Sequence, residues 1–324
     1  MTLVVLFKMK ISGFTMMKNA DKLYYPVRQM IMSVLPVVDE FIVALGDCDR
    51  DDNTREIIQT IDSNKIKIID TVWNLEKYPR GMENAHQTDI AKNNCSGDWL
   101  FYMQADEVIH EKYLDIIVKR CNELYDDREI RGLLFRYRHF WGDYDHYHNS
   151  HSWYKNEIRI IRNDPDIHSW ESAQSFRYIP DFDGINYRQQ ENTYKLKVAK
   201  VDAEVYHYGW VRPPHLMRNK SKALDTIHKG AKAVSGMKKH EDKSFDYGPL
   251  ERLPVFKGTH PAVMKEWIEK FDWKDELQYS GKPGKNREPH KHEKFRYRLA
   301  SFVENNLLCG ATIGGFKNYI LVNR

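Results

Sequence analysis

The 324-residue sequence lacks an apolar run long enough to cross a membrane. The apolar run near its start, Thr2–Phe7, has six residues, whereas a membrane-spanning helix needs about 20. This run has no basic residues before it and no small-residue cleavage site after it, so we expect neither a signal peptide nor a membrane span. These absences predict a cytoplasmic protein.

Cysteine is scarce, and the charge has no dominant sign. The four cysteines are widely separated and show no C-x-x-C spacing, which argues against a disulfide framework and a structural zinc site and favours a reducing compartment. A net charge of +4 is small for this length, so nucleic acid is not an expected partner. The remaining composition, with 41% hydrophobic and 30% charged residues, is that of a globular protein.

The first hundred residues alternate between strand-like and helix-like patterns. This alternation predicts βαβ units with parallel strands, and therefore an α/β fold whose mostly parallel sheet is flanked by helices. The predicted elements, in chain order, are strands Ile11–Met16, Phe41–Leu45, Ile66–Ile69 and Trp99–Met103, and helices Pro26–Leu35, Thr54–Ile61 and Glu83–Asn94.

The rest of the chain predicts a second half of the sheet followed by a helical extension. A helix over His110–Leu124 precedes strands near Gly132–Tyr137, Glu157–Arg162 and Ala203–Tyr208. Residues 229–243 and 281–291 predict irregular connections, the second of them basic, with a helix over His260–Phe271 between them. We therefore expect a catalytic domain over residues 1–228 and a C-terminal extension over residues 229–324.

The strand Trp99–Met103 ends in the acidic motif Gln104-Ala105-Asp106-Glu107. In an open α/β sheet, ligands bind at the carboxyl ends of the strands. One or two carboxylates there, together with substrate phosphates, are enough to hold Mg²⁺. The alternative is that Asp106 or Glu107 begins the following helix, where an acidic side chain favours the N-terminus.

A second acidic segment, Asp47–Thr54, directly follows the strand Phe41–Leu45. Its carboxylates suit hydrogen bonds from a nucleobase or from ribose hydroxyls. The alternatives are a solvated acidic loop and a calcium site, although an EF-hand loop requires glycine where Asp52 stands.

These motifs follow one another in the order of a known family. The segments Ser12–Asn19, Val38–Val43 and Asp47–Thr54, followed by the motif that contains Asp106, together resemble a family 2 glycosyltransferase with the GT-A (Rossmann-like) fold. The likeness is strong over about the first 110 residues and looser beyond them.

The resemblance implies inverting transfer of a sugar from a nucleotide-sugar donor. It implies that Asp47 contacts the base or ribose, assisted by Asp49, and that Asp106 is the metal-binding member of an Asp-x-Asp signature. Gln104 replaces the first aspartate of that signature and carries no charge. We expect Mn²⁺ or Mg²⁺ as cofactor, with Asp106, Glu107 and His207 as its ligands and Gln104 near the donor.

An inverting transfer also needs a base for the acceptor hydroxyl. The resemblance implies an acidic base after the strand Glu157–Arg162, and Glu171 is our candidate, with Trp170 beside it to stack on a sugar. A surface ion pair between Glu171 and Arg177 is the alternative. The other acids that stay open as the base are Asp166, Asp181 and Asp183.

A late histidine and arginine complete the predicted site. His207 lies in a strand and is followed by Gly209, which permits close backbone approach. The resemblance implies that His207 completes the metal or diphosphate shell, and Arg212 could neutralise the leaving phosphates. The alternative for His207 is a hydrogen-bonded core residue.

The C-terminal tail is amphipathic, with apolar residues at helical spacing between basic ones. The apolar positions are Phe295, Leu299, Phe302, Val303 and Leu307, and the basic ones are Lys294, Arg296 and Arg298. We expect this helix to pack on the main domain or on a second copy of the chain. Docking on an anionic membrane surface, which would suit a lipid-linked acceptor, is the alternative.

The sequence thus predicts an inverting glycosyltransferase that uses a nucleotide sugar, with a UDP-sugar as the expected donor and a carbohydrate or lipid-linked acceptor in surface polysaccharide synthesis. One alternative is a non-catalytic nucleotide- or sugar-binding protein on the same scaffold, which Gln104 favours. A nucleotidyltransferase is disfavoured because its glycine-rich phosphate loop is missing: Ser12–Asn19 contains only Gly13.

Overall fold

The structure, a computed structural model, describes residues 9–241, 244–284, 287–308, 310–314 and 317–324. The run Thr2–Phe7, Cys309, and residues 242, 243, 285 and 286 of the two predicted connections lie outside the described residues. In these ranges, no helix combines the length and apolar character that crossing a bilayer requires.

The first part of the chain forms the predicted βαβ units. Strands β3, β2, β1 and β4 lie side by side in that order, and all are parallel. The elements, in chain order, are β1 Ile11–Met17, α1 Val27–Val34, β2 Glu40–Leu45, α2 Thr54–Gln59, β3 Ile66–Asp70, α3 Met82–Asn93 and β4 Trp99–Tyr102. The predicted α/β fold is therefore confirmed.

The second half extends the same sheet with strands of both directions. Beyond β4 the strand order continues with β8, β6, β11, β10 and β9. Outside this order, β5 and β12 pair with β11, and β7 pairs with β6. The remaining elements are β5 Glu107–Ile109, α4 Leu114–Glu123, β6 Gly132–Trp141, β7 Tyr147–His148, β8 Asn156–Arg162, β9 Ile167–Trp170, β10 Ser175–Tyr178, β11 Tyr194–Trp210, α5 Pro214–Lys229, α6 Ala231–Ser235, α7 Lys265–Ile268, α8 Phe295–Asn306 and β12 Tyr319–Leu321.

Apolar layers cover both faces of the parallel strands. Phe41 and Val43 of β2 point into one layer, and Ile42 and Ala44 into the other, because successive side chains of a strand alternate. Close packing also explains Gly13 in β1, where an added Cβ would lie 2.3 Å from the Phe41 ring. Burial on both faces is why these strands are nearly continuous in apolar residues.

The C-terminal part differs from its prediction in several elements. The segment after Lys229 contains α6 and is not wholly irregular. The helix expected over His260–Phe271 is reduced to a 3-10 turn, Ala262–Met264, and the four-residue α7. The reason is tertiary, since Met264, Phe271 and Trp273 pack into an aromatic cluster on β6 and β11. The division at residues 228 and 229 stays a prediction.

Helix α8 lies on the protein with its polar side inward. Glu304 is buried, bonds Nδ1 of His151 at 2.6 Å and pairs with Nζ of Lys155 at 2.9 Å. Phe295, one of the apolar residues of this helix, is 78% exposed. The helix forms as predicted, but its apolar face is turned outward.

Candidate active site

A large cleft opens where β4 ends at the carboxyl edge of the parallel strands. Its volume is about 1460 Å³, and Gln104, Asp106, His207 and Lys220 line it. Among the described lining residues, eight are Lys or Arg and four are Asp or Glu. The cleft is therefore positive, which suits an anionic ligand such as a diphosphate.

Asp106 forms the centre of this cleft. Its Oδ2 lies 2.8 Å from Nζ of Lys220, which α5 carries, and 3.6 Å from Nε2 of His207 on β11. Burial opposes ionisation of Asp106, but the Lys220 ammonium and the neighbouring His207 imidazole outweigh it and hold the pKa of Asp106 well below the ordinary value. Burial and the charge of Arg212 lower the pKa of Lys220 to about 8. At neutral pH the two groups are a charged pair.

Gly209 allows these groups to meet. A Cβ at this position would lie 2.5 Å from Oδ2 of Asp106 and 2.5 Å from Nε2 of His207. The Gly209 carbonyl also accepts a hydrogen bond from Nζ of Lys220 at 2.6 Å. The close backbone approach predicted for Gly209 is therefore confirmed.

The direction of the hydrogen bond between His207 and His139 follows from the state of His139. Burial and the neighbouring His207 imidazole hold the pKa of His139 well below its ordinary value, so His139 is neutral. Its Nε2 donates to the carbonyl of Tyr154 at 2.8 Å, which leaves Nδ1 as an acceptor. The Nδ1–H of His207 donates to that atom at 3.0 Å. The Nε2 of His207 is therefore directed at Asp106.

Glu107 points away from Asp106 into the core. Its carboxylate receives two hydrogen bonds from Arg159, at 2.8 and 2.7 Å, and one from the hydroxyl of Tyr137 at 2.7 Å. The side chains of Glu107 and Arg159 are both fully buried. Glu107 therefore forms part of the scaffold beneath the cleft, and it does not line the cleft.

Gln104 has a bonding role that an aspartate could not fill. Its Nε2 donates to the carbonyl of Ala173 at 3.0 Å. Glu171 and Ala173 both have left-handed backbone angles, with φ of 56° and 61°, which is uncommon outside glycine and occurs often at functional sites. Gln104 thereby fastens this strained turn to the end of β4.

The donor groups do not fit a Mg²⁺ or Mn²⁺ ion. Such ions prefer oxygen ligands, yet the Glu107 carboxylate is already bonded to Arg159 and Tyr137, and Lys220 lies against Asp106. No cluster of three or more His, Cys, Asp or Glu side chains suited to a metal occurs in the described ranges. The roles of Asp106, Glu107 and His207 as metal ligands stay predictions, and this arrangement argues against them.

The acidic loop after β2 meets the cleft through the partners of Asp47. Oδ1 of Asp47 pairs with Nζ of Lys18 at 2.9 Å and accepts the backbone N–H of Trp73 at 2.9 Å. Burial would raise the pKa of Asp47, but the bonds from Lys18 and Trp73 lower it. Lys18 and Trp73 line the cleft, whereas Asp49 pairs with Lys22 outside the cleft lining.

Among the candidate bases, Glu171 belongs to a turn that borders the cleft. Glu171 is half-exposed and 3.4 Å from Nη2 of Arg188, so the surface ion pair is present with Arg188 in place of Arg177. Its neighbour Ser172 lines the cleft. Asp166 accepts a hydrogen bond from the hydroxyl of Tyr178 at 3.1 Å.

The other two candidate bases, Asp181 and Asp183, accept hydrogen bonds from nearby groups. Asp183 accepts backbone N–H groups at 2.8 and 2.7 Å, and Asp181 accepts the amide of Asn192 at 3.3 Å. None of the three alternatives to Glu171 lines the cleft. The assignment of the base stays a prediction.

Trp170 and Arg212 are buried behind the cleft. Trp170 packs beneath the Arg177 guanidinium at 5.3 Å. Arg212 is fully buried, donates to the carbonyl of Leu23 and lies 4.7 Å from the ring centre of Tyr25. Their assignments to acceptor and donor contacts stay predictions.

Two features of the cleft were not predicted from the sequence. The first is Lys220, which the sequence places only in a basic segment. It lies three residues after the buried Met217, and this spacing places it on the same, inner face of α5. The second is a wall of three tryptophans, in which Trp141 and Trp210 stack at 4.9 Å and Trp153 meets both edge-on.

Comparison with known proteins gives structural similarity only. No model of a known protein family matches the chain, and no curated protein matches it. TarS from S. aureus is 14% identical, covering 69% of this chain and 41% of its own, with a TM-score of 0.37. Glucosyl-3-phosphoglycerate synthase from Mycobacterium tuberculosis, solved with Mn²⁺ and UDP, is 16% identical, covering 40% and 44%, with a TM-score of 0.28.

The mannosyltransferase PcManGT from Pyrobaculum calidifontis, solved with GDP-Man and Mn²⁺, is 14% identical. It covers 40% of this chain and 35% of its own, with a TM-score of 0.29. The chain thus spans less than half of the length of these three proteins. TarS, glucosyl-3-phosphoglycerate synthase and mannosyl-3-phosphoglycerate synthase, which are among the solved structures similar to this chain, are GT-A glycosyltransferases.

Proposed function

We propose that this protein is a glycosyltransferase that moves a sugar from a nucleotide-sugar donor to an acceptor hydroxyl with inversion at the anomeric carbon. The observation that carries the proposal is the charged pair of Asp106 and Lys220 at the carboxyl end of β4, inside a positive cleft. That edge of the parallel strands is where an α/β sheet binds nucleotides.

In this reaction the acceptor oxygen attacks the anomeric carbon as the bond from that carbon to the leaving phosphate oxygen breaks. The acceptor proton passes to a base, for which we retain Glu171 because its turn borders the cleft. The nucleoside diphosphate leaves with the electron pair, and the positive groups of the cleft stabilise its charge. These roles require Glu171 to reach the acceptor from the rim.

The lining of the cleft suits two substrates. Lys18 lines the cleft and pairs with Asp47, and we propose that these two residues contact the nucleotide of a UDP-sugar donor. Trp153 and Trp210 of the tryptophan wall are half-buried and line the cleft, so they offer aromatic faces of the kind that pack on the apolar side of a sugar, with the buried Trp141 behind them. A carbohydrate or lipid-linked acceptor of surface polysaccharide synthesis would fit there.

A thermal-shift screen with UDP, GDP, dTDP and CMP tests the donor class, since a ligand that binds only the folded state raises its stability. Release of the matching diphosphate from sugar nucleotides then tests turnover. We expect one nucleotide to stabilise the protein and Asp106→Asn to abolish both effects. Binding without turnover would favour the alternative of a non-catalytic binding protein.

Turnover also tests the base. Glu171→Gln keeps the size of the side chain and removes its proton acceptor, so we expect nucleotide binding to persist and kcat to fall by about 10²- to 10⁴-fold. An unchanged kcat in Glu171→Gln would exclude Glu171 as the base and direct attention to Asp166.

We also propose that α8 docks the protein on an anionic membrane surface. Phe295, Leu299 and Phe302 form one face at spacings of four and three residues, and each is more than half exposed. Arg296 and Arg298 flank that face, so its charge complements anionic lipid headgroups. The alternative is that two copies of the chain associate through the same helix.

A further inference from the structure

Lys220 occupies the position beside Asp106 at which the sequence predicted a metal ion. Its ammonium lies 2.8 Å from the Asp106 carboxylate and 2.6 Å from the Gly209 carbonyl, and both Lys220 and Asp106 are more than nine-tenths buried. The ammonium also lies 4.9 Å from the ring centre of Tyr25 and 5.9 Å from that of Trp210. This lysine is therefore built into the site and is not a surface charge.

The ammonium retains capacity for a ligand. It has three N–H donors, and the described residues accept two of them. Lys220 lines the cleft together with Asp106 and His207. A phosphate oxygen entering the cleft can therefore accept the third N–H in a charge-assisted hydrogen bond.

A divalent cation at the same carboxylate would compete with this ammonium. Asp106 supplies one negative charge, which Lys220 balances. The described residues place no second free carboxylate beside Asp106, because Glu107 is held by Arg159 and Gln104 replaces the first aspartate of the signature. A metal would have to displace Lys220 and leave its charge in a buried place, which is unfavourable.

We infer that Lys220 takes the place of a divalent cation and neutralises the departing diphosphate, so that the transferase works without metal. The inference rests on the proposed function. As the bond between the anomeric carbon and the phosphate oxygen breaks, the electron pair stays on that oxygen, and the Lys220 ammonium stabilises the added charge. Asp106 acts as a positioning residue that holds the ammonium in place.

The test measures nucleotide binding and turnover after the protein has been dialysed against EDTA. The probes are UDP, GDP, dTDP and CMP and the matching sugar nucleotide, each in EDTA, in Mg²⁺ and in Mn²⁺. We expect the wild-type protein to bind its nucleotide and to turn over with unchanged constants in EDTA. Binding or turnover that is lost in EDTA and restored by Mn²⁺ would overturn the inference and leave the proposed function intact.

Substitution of the lysine provides the second readout. Lys220→Met should weaken diphosphate binding by about 10- to 100-fold and lower kcat by about 10²- to 10³-fold. Lys220→Arg, which keeps the positive charge, should retain part of both in EDTA. Lys222→Met on the same helix, which removes an exposed lysine outside the cleft lining, should change neither.

A double variant keeps the test valid if Lys220→Met alone does not fold. Asp106→Asn combined with Lys220→Met removes both charges of the buried pair and therefore leaves no unpaired charge. Nucleotide binding at wild-type affinity in either Lys220→Met protein would overturn the inference. Failure of every nucleotide to bind wild-type protein, with or without metal, would overturn the proposed function and the inference with it.

Discussion

The candidate site depends on Gly209, because no larger side chain fits at this position. Gly209→Ala would place a methyl group 2.5 Å from both Asp106 and His207. Overpacking of this kind costs about 1–3 kcal/mol, and relief of the clash would move Asp106 away from Lys220. We expect the free energy of unfolding to fall by that amount in urea denaturation and nucleotide binding to be lost.

Gly236→Ala is the matched control. A Cβ at Gly236 would meet no atom within 4 Å, and the backbone there has a φ of −96°, which alanine adopts readily. It should bind nucleotide like the wild-type protein. Equal behaviour of the two alanine variants would contradict the close approach at Gly209.

The buried ion pair of Glu107 and Arg159 predicts that substitution of Glu107 strongly lowers the stability of the protein. The substitution removes no group that lines the cleft. Glu107→Gln leaves the Arg159 guanidinium as a buried charge without its carboxylate, and breaking such a pair costs about 3–5 kcal/mol. Urea denaturation would measure this loss. Glu129→Gln, which removes an exposed partner of Lys197 and Arg324, should leave the free energy of unfolding almost unchanged, because exposed ion pairs contribute little to stability.

A small loss of stability in Glu107→Gln, accompanied by a changed response to Mn²⁺, would contradict this structural role and revive Glu107 as a metal ligand.

Asp106 and Glu107 are adjacent in sequence and acidic in type. The sequence predicted one role for both residues. Their separation depends on Arg159 and Lys220, which lie 52 and 114 residues away along the chain.

At the scale of elements, α8 predicts binding to anionic vesicles. Phe302 is 59% exposed, and Glu304 on the opposite side of the helix is buried. We expect the wild-type protein to sediment with vesicles that contain phosphatidylserine and to remain in solution with phosphatidylcholine vesicles. Phe302→Glu should weaken sedimentation, because burying a charged side chain in the interface is unfavourable.

Val72→Glu is the control, since Val72 is 75% exposed and belongs to another part of the surface. It should sediment like the wild-type protein. An alternative result is that the wild-type protein binds neither kind of vesicle and forms a dimer that Phe302→Glu dissociates. This result would show that α8 joins two copies of the chain. That outcome would replace the membrane proposal.

The elements that carry the site differ in how well the sequence predicted them. The strand β4 was predicted within one residue, because its apolar run is short and the acidic motif marks its end. Strand β11 runs for 17 residues, although only Ala203–Tyr208 was predicted. Its earlier part alternates between buried and exposed residues, and its pairing with β6, β10 and β12 is what holds it as one strand.

At the scale of the whole molecule, buried histidines predict a loss of stability in weak acid. Burial and the charge of His290 lower the pKa of His292 from 6.5 to about 4, and burial also lowers the pKa values of His148 and His290. The unfolded chain therefore binds more protons than the folded protein between pH 6.5 and about 4. The free energy of unfolding should decrease as pH falls through this window.

Urea denaturation at several pH values from about one pH unit above to about two pH units below an ordinary histidine pKa measures the effect. His292→Gln should flatten the dependence, because glutamine does not titrate. His215→Gln, which replaces an exposed histidine on α5, should leave it unchanged. A stability that is constant over the window in the wild-type protein would contradict the buried, neutral state of these side chains.

The sequence by itself determined the parallel strands and helices of the first hundred residues and the position of Asp106 at the end of β4. These features depend on neighbours along the chain, through the alternation of apolar residues and the acidic end of one strand. Only the tertiary structure decided that Lys220 stands against Asp106, that Arg159 holds Glu107 and that α8 turns its apolar face outward. Those outcomes depend on charges brought together from distant segments, whose pairing no local pattern encodes.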